Sequence, residues 1–363
     1  MARERVLGVD LLRGVAVVAM IGVHTINGLL DPSRQQGLLY AVAHFAAGLV
    51  APAFLFVAGF TFMLAVEPLL LARQVARPSL GKPLRRIGLI WLVGYLLHLP
   101  AYTLSDWRAP LTEFQWQQFV GVDVLHCIGS GLLLLLLLRL VARSGRILLL
   151  AVVLAGSAAV LLAGPVWRAD LVAQLPLWLS GYLAPTGATL FPLFPWFGFL
   201  AAGAALSLLW GQARAAGREQ QFQGTVLRNG LVLALSGLVL LVLLRDYLYL
   251  IVDERPLPLF FLCRLGFVLV LFVGSLHLCQ GRAALLPLLA WPARTSLLIY
   301  VLHLKMLYYP LPGGQALVEL IGPRLGYLGC LGAALALFLV TLLPVVLWYR
   351  FKSLQPQVGP QVV

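Results

Sequence analysis

The chain has 363 residues, 61% of them hydrophobic and 11% charged, with a mean hydropathy of +0.95. A soluble domain carries about 25% charged and about 45–50% apolar residues, which excludes an aqueous globular fold. A net charge of +13 would point to nucleic acid in a soluble chain, but here 26 Lys and Arg against 13 Asp and Glu read as basic loops on one side of a membrane, with no nucleic-acid partner.

The apolar residues arrive in blocks of about 18–25, the length a helix needs to cross a bilayer. The expected fold is all-α: a polytopic membrane helical bundle of about ten transmembrane helices, one domain over 1–363. Spans are placed near 11–30, 38–66, 87–104, 120–138, 146–164, 191–211, 227–244, 259–279, 294–309 and 326–349. Arg3, Glu4, Arg5, Asp10 and Arg13 interrupt any signal-peptide core, so the first span is expected to stay in the protein. With ten spans, 17 basic residues fall on the side of the termini, six on the other and three within spans. The basic excess makes both termini cytoplasmic. No Asn-x-Ser/Thr sequon occurs, and a prokaryotic inner membrane is the simplest location.

In span 1, Asp10 and Arg13 sit at i,i+3, the spacing of an ion pair at a helix end. His24 follows Arg13 by eleven residues, a rise of about 16 Å and about three turns, so the two share one face at different depths. Such a face suits an anion near the cytoplasm and an imidazole toward the far side. His44 falls in the outer part of span 2. The loop from Arg73 to Arg86, with Arg73, Arg77, Lys82, Arg85 and Arg86, reads either as a topogenic signal or as a collector of phosphates. His98 lies near the outer end of span 3. Asp123 and His126 lie in span 4, with His126 expected about two turns in. Trp167 and Trp178, in the long connection before span 6, suit an interfacial belt or a lid. Arg264 and His303 complete the set, so five of six histidines share one depth and only His277 sits at an inner end. Ionisable groups cost about 2.5–3.5 kcal/mol each in hydrocarbon. The histidines either join helices by hydrogen bonds or line a polar cavity open to the outer face. Cys127, Cys263, Cys279 and Cys330 lack metal-ligand spacing and read as small buried hydrophobes, and no metal is expected.

The segments Arg5-Val6-Leu7-Gly8-Val9-Asp10-Leu11-Leu12-Arg13-Gly14 and Met20-Ile21-Gly22-Val23-His24 resemble the opening of the transmembrane acyltransferases. They are similar to bacterial relatives of the heparan-α-glucosaminide N-acetyltransferase catalytic domain, and the Arg-x10-His spacing resembles the acyltransferase-3 family of sugar O-acetylases. Further matches are Ala51-Pro52-Ala53-Phe54-Leu55-Phe56-Val57-Ala58-Gly59, Val124-Leu125-His126-Cys127-Ile128-Gly129, Phe191-Pro192-Leu193-Phe194-Pro195-Trp196 and Thr295-Ser296-Leu297-Leu298-Ile299-Tyr300-Val301-Leu302-His303.

The resemblance implies acetyl transfer from cytoplasmic acetyl-CoA, a co-substrate, to a sugar or glycan hydroxyl or amine across the membrane. Residues 25–37, where the animal enzyme has its active histidine, hold none here, so the role passes to His24 or His44. The implied catalytic set is His24, His303, His126 and Asp10. Arg13, Arg73, Arg77, Lys82, Arg85 and Arg86 would hold the CoA phosphates, and Asn27, His44, Asp123, Trp196 and Arg264 the acceptor. Direct transfer and an acyl-histidine intermediate remain open. A flippase or transporter of a polar envelope precursor, with the histidines as a proton relay, is the alternative function, and a structural subunit is a third. Membrane lipids are expected partners. Small residues such as Gly198, Gly203 and Ala204 suit packing within one chain or in a homodimer.

Overall fold

The computed structural model describes residues 6–71, 80–99, 110–244, 255–280, 293, 295–310 and 314–354. Among them the regular elements are helices, with no strand beyond an isolated bridge between Leu30 and Leu325. The principal helices are α1 (Leu7–Leu29), α2 (Gly37–Ala47), α3 (Val50–Leu71), α4 (Gly81–Leu97), α5 (Glu113–Val120) and α6 (Val124–Val141). There follow α7 (Gly145–Leu161), α8 (Leu193–Ala215), α9 (Glu219–Leu243), α10 (Pro258–Cys279), α11 (Ser296–Tyr308) and α12 (Tyr327–Leu354). Among the described residues, seven segments are long and apolar enough to cross a bilayer: α1, α2 with α3 up to Val66, α6, α8, α9, α10 and α12. α7 and α11 are shorter apolar helices. Each of the ten expected spans meets a helix.

Three local differences have physical causes. The second span breaks at Gly48 and Leu49, so α2 and α3 are separate helices rather than one. The third begins earlier, at Gly81, and ends at Leu97, ahead of Leu99, whose following proline disfavours helical backbone. The fourth starts only at Val124, because the Asp123 carboxylate caps it by accepting from the His126 amide at 2.9 Å. His126 therefore sits in the first turn, not two turns in.

The chain divides into two compact units, one of residues 1–50 with 275–363 and the other of 51–274. In the first, α1 packs on α11, α12 and the short helix Leu317–Ile321. The end of α1 is tied down by backbone bonds from Asp31 to the Leu325 carbonyl (3.0 Å) and from Leu325 to the Leu29 carbonyl (2.9 Å). In the second, α3, α6, α7 and α8 share an apolar core that includes Leu55, Met63, Leu135, Phe197, Phe199 and Leu200. Here α3 and α8 approach backbone to backbone. A Cβ on Gly59 would strike the Leu200 carbonyl, and one on Gly203 the Phe56 carbonyl, so each helix supplies the glycine that the other needs.

Gly59→Ala and Gly203→Ala are each expected to lower unfolding stability in detergent by about 1–3 kcal/mol, because the obstacle is backbone that cannot rotate away. Gly22→Ala in α1 meets open space and is expected to change stability by less than about 0.5 kcal/mol. Equal effects in a denaturation series would remove the close approach as the cause.

Candidate functional site

The first unit brings His24 of α1 and His303 of α11 together, ring centroids 5.2 Å apart and tilted by 48°. His303 is fully buried, with Nδ1 2.8 Å from the Ile299 carbonyl one turn back. A carbonyl only accepts, so this contact assigns the proton to Nδ1 and leaves Nε2 with a lone pair. Nε2 has no hydrogen-bond partner among the described residues. Tyr308 stands edge-on to His24 at 5.9 Å and donates its hydroxyl to the His24 carbonyl at 2.8 Å. Tyr300 contacts His303 at 5.7 Å, and the Lys305 ammonium lies 3.6 Å from the centre of the Tyr309 ring.

The other expected residues of this unit lie on α1 and α2. Asn27 is exposed, three residues beyond His24. His44 is exposed on α2, its ring 5.6 Å from Tyr40. Arg13 and Asp10 are half-buried near the start of α1, a helix without interruption between Arg13 and His24. At the end of α1, the Asp31 carboxylate accepts from the Ser33 hydroxyl at 2.7 Å and its amide at 2.8 Å. Those bonds hold it below the usual carboxylate range.

The second unit builds an imidazole group of its own. The His126 Nδ1 lies 2.7 Å from Asp123 Oδ1, and the His98 Nε2 lies 3.3 Å from Oδ2, so one carboxylate serves two rings. Nδ1 of His126 also lies 3.4 Å from the Asp123 amide. It cannot both accept from the amide and donate to the carboxylate. The shorter, charged contact decides, and His126 takes the Nδ1–H form. Its Nε2 is buried with no partner among the described residues. The ring rests 4.3 Å from that of Tyr95 and close against Gly94, where an added Cβ would stand 2.9 Å from the His126 Cε1. Tyr95 and Tyr182 hydroxyls lie 3.4 Å apart. Burial pushes the Tyr182 hydroxyl up, so it stays neutral. Ser130 donates to the His126 carbonyl at 2.8 Å, and the Trp91 indole reaches both that carbonyl and the Ser130 hydroxyl at 3.3 Å.

Trp196 is enclosed by Phe191 (4.8 Å), Phe199 (6.0 Å) and Phe260 (6.3 Å), with Arg264 4.3 Å over the Phe260 ring. Lys82, Arg85 and Arg86 are exposed on the first turns of α4, whereas Arg73 and Arg77 lie outside the described residues. Among the described residues no group of three His, Cys, Asp or Glu is arranged to hold a metal ion.

Sequence reasoning passed over Trp91, Tyr95, Ser130, Tyr182 and Tyr308. Trp91, Tyr95 and His98 recur at helical spacing, as do His126 and Ser130, so one face of α4 and one of α6 were readable as polar stripes. Tyr182 and Tyr308 carried no such signal.

Apolar helices of spanning length with imidazoles inside define a polytopic integral membrane protein. The family described as heparan-alpha-glucosaminide N-acetyltransferase, catalytic, matches residues 5–250, and the chain belongs to it. That makes it a membrane acetyltransferase by family. The matched region holds His24, His98, Asp123 and His126, and His303 lies beyond it. No curated protein matches the chain.

Asp123→Asn keeps an equivalent helix cap but removes the charge facing two imidazoles, and is expected to cost about 1–3 kcal/mol. Asp123→Ala also removes the cap and is expected to cost about 1 kcal/mol more. Thermal unfolding of both variants in detergent separates the two roles, and an undisturbed Asp123→Asn protein would leave only the cap.

Proposed function

We propose that the chain moves an acetyl group from cytoplasmic acetyl-CoA to a hydroxyl or amine of a sugar or glycan on the opposite side of the membrane, with His24 as general base. The observation that carries this reading is the His24–His303 pair, within a chain of an acetyltransferase family. His24 removes the acceptor proton as the acceptor oxygen or nitrogen bonds to the thioester carbon. The carbon–sulfur bond then breaks, and the departing thiolate takes up a proton. His303, its Nδ1 engaged by Ile299, offers Nε2 to hold a donor on the acceptor or to receive a proton from it. His126, oriented by Asp123, is a second imidazole suited to orienting the acceptor. Asn27, His44, Trp196 and Arg264 are the further residues assigned to it.

Arg13 stands about 16 Å from His24 along α1, on nearly the same face. A CoA phosphate at Arg13 with the thioester reaching toward His24 fits that separation. Asp10 is assigned to orienting Arg13 from the same turn. Lys82, Arg85 and Arg86 occupy a helix N-terminus, where the helix dipole disfavours cations. Their placement supports a task other than stabilising α4, and phosphate capture together with Arg73 and Arg77 is the one assigned here.

Calorimetry with acetyl-CoA is expected to show saturable binding, weakened about tenfold by Arg13→Ala, the loss of one charge-assisted contact. His24→Ala is expected to bind acetyl-CoA as wild type and to lose about 10²–10⁴-fold in acetyl transfer. No binding by folded wild-type protein would overturn the reading.

A further inference from the structure

Along the second unit runs a cleft of about 300 Å³ between α7, α8 and α10. Its walls are apolar apart from Ser157, and Val153, Leu161 and Leu262 present their side chains outward at 45%, 63% and 40% exposure. The floor is made of small residues, Gly156 and Gly198 with Ala201, Ala202 and Ala205, which is why a hollow exists there. With a single hydroxyl along it, this lining offers a polar partner little and suits a hydrocarbon chain.

One end of the cleft is chemically distinct. Leu161 closes α7 and Pro258 opens α10, and both line the cleft. Just beyond Leu161, the short helix Ala163–Trp167 leads into Arg168, whose guanidinium lies back over Gly164. Just before Pro258, Arg255 lies 5.6 Å over the Trp167 ring. The Trp167 indole is itself fixed, donating to the Phe194 carbonyl at 2.9 Å. Two arginines flanking an anchored tryptophan at the end of an apolar groove match an anionic lipid in both parts, since arginine meets phosphate and tryptophan favours the headgroup level.

We propose that this cleft is a lipid site: one acyl chain of an anionic membrane phospholipid lies along α7, α8 and α10, with its phosphate between Arg168 and Arg255 beside Trp167. The site depends on the chain being a membrane protein and not on its acetyltransferase chemistry.

Native mass spectrometry of the full chain in mild detergent tests this with phosphatidylglycerol and phosphatidylcholine as separate additions. Wild type is expected to retain one phosphatidylglycerol and to prefer it to phosphatidylcholine. Replacing Arg168 and Arg255 together by Ala is expected to weaken retention about thirtyfold, taking the attraction typical of two surface arginines. Val153→Trp or Leu262→Trp, each at an outward-facing wall position, is expected to fill the cleft and exclude the chain. Either variant serves if the other fails to fold. Retention by the arginine and tryptophan variants equal to that of wild type would assign the bound lipid to a non-specific annulus and overturn the proposal. Retention of phosphatidylcholine as strong as that of phosphatidylglycerol would do the same.

Discussion

In hydrocarbon a polar group has no water to turn to, so every amide, imidazole and carboxylate must find its partner within the protein. This requirement orders the structure at each scale. It makes the spanning segments helices, which satisfy their own backbone. Since lipid tails are as apolar as Leu, packing rather than hydrophobicity must hold those helices to one another. The reciprocal glycines at Gly59 and Gly203 answer that need by letting α3 and α8 meet backbone to backbone. It also sets the terms for His303 and His126, which are buried with one nitrogen committed.

Two solutions to that problem occur in the two units. His303 commits Nδ1 to a carbonyl of its own helix, a contact available to any residue four positions along. His126 commits Nδ1 to Asp123, which at the same time closes the first turn of α6 and holds His98 on its other oxygen. The carboxylate thus couples helix initiation to ring orientation, and neither is set independently of the other. In both cases the outcome is the same electronically: one nitrogen engaged, one lone pair left over, within a buried setting.

Hydropathy made the helices legible because their burial in lipid, or against one another, requires the apolar runs that reveal them. The break at Gly48 and Leu49 was hidden, since that dipeptide interrupts no apolar run. The depth of His126 was misjudged for a related reason. Asp123 was read as an acceptor contact within an apolar span, whereas a carboxylate three residues before a histidine is also how a helix begins. Local periodicity carries the face bearing Trp91, Tyr95 and His98, but the reading of the sequence took up only His98. The meeting of His24 with His303 was beyond local reading, because the residues are far apart in the chain and their contact is set by how α1 packs on α11.

The difference between the two anchors has a chemical consequence. A peptide carbonyl accepts a hydrogen bond but does not take the proton, so the His303 proton stays on Nδ1 and all exchange must pass through Nε2. A carboxylate carries charge and can balance an imidazolium, and the Asp123 carboxylate faces both the His98 and the His126 rings. A reaction that must both remove a proton from an acceptor and deliver one to a departing thiolate needs an imidazole with a free lone pair at the reacting atoms. With Nδ1 of His303 held by the Ile299 carbonyl, the base proposed at His24 has beside it an imidazole that can accept a hydrogen bond only through Nε2.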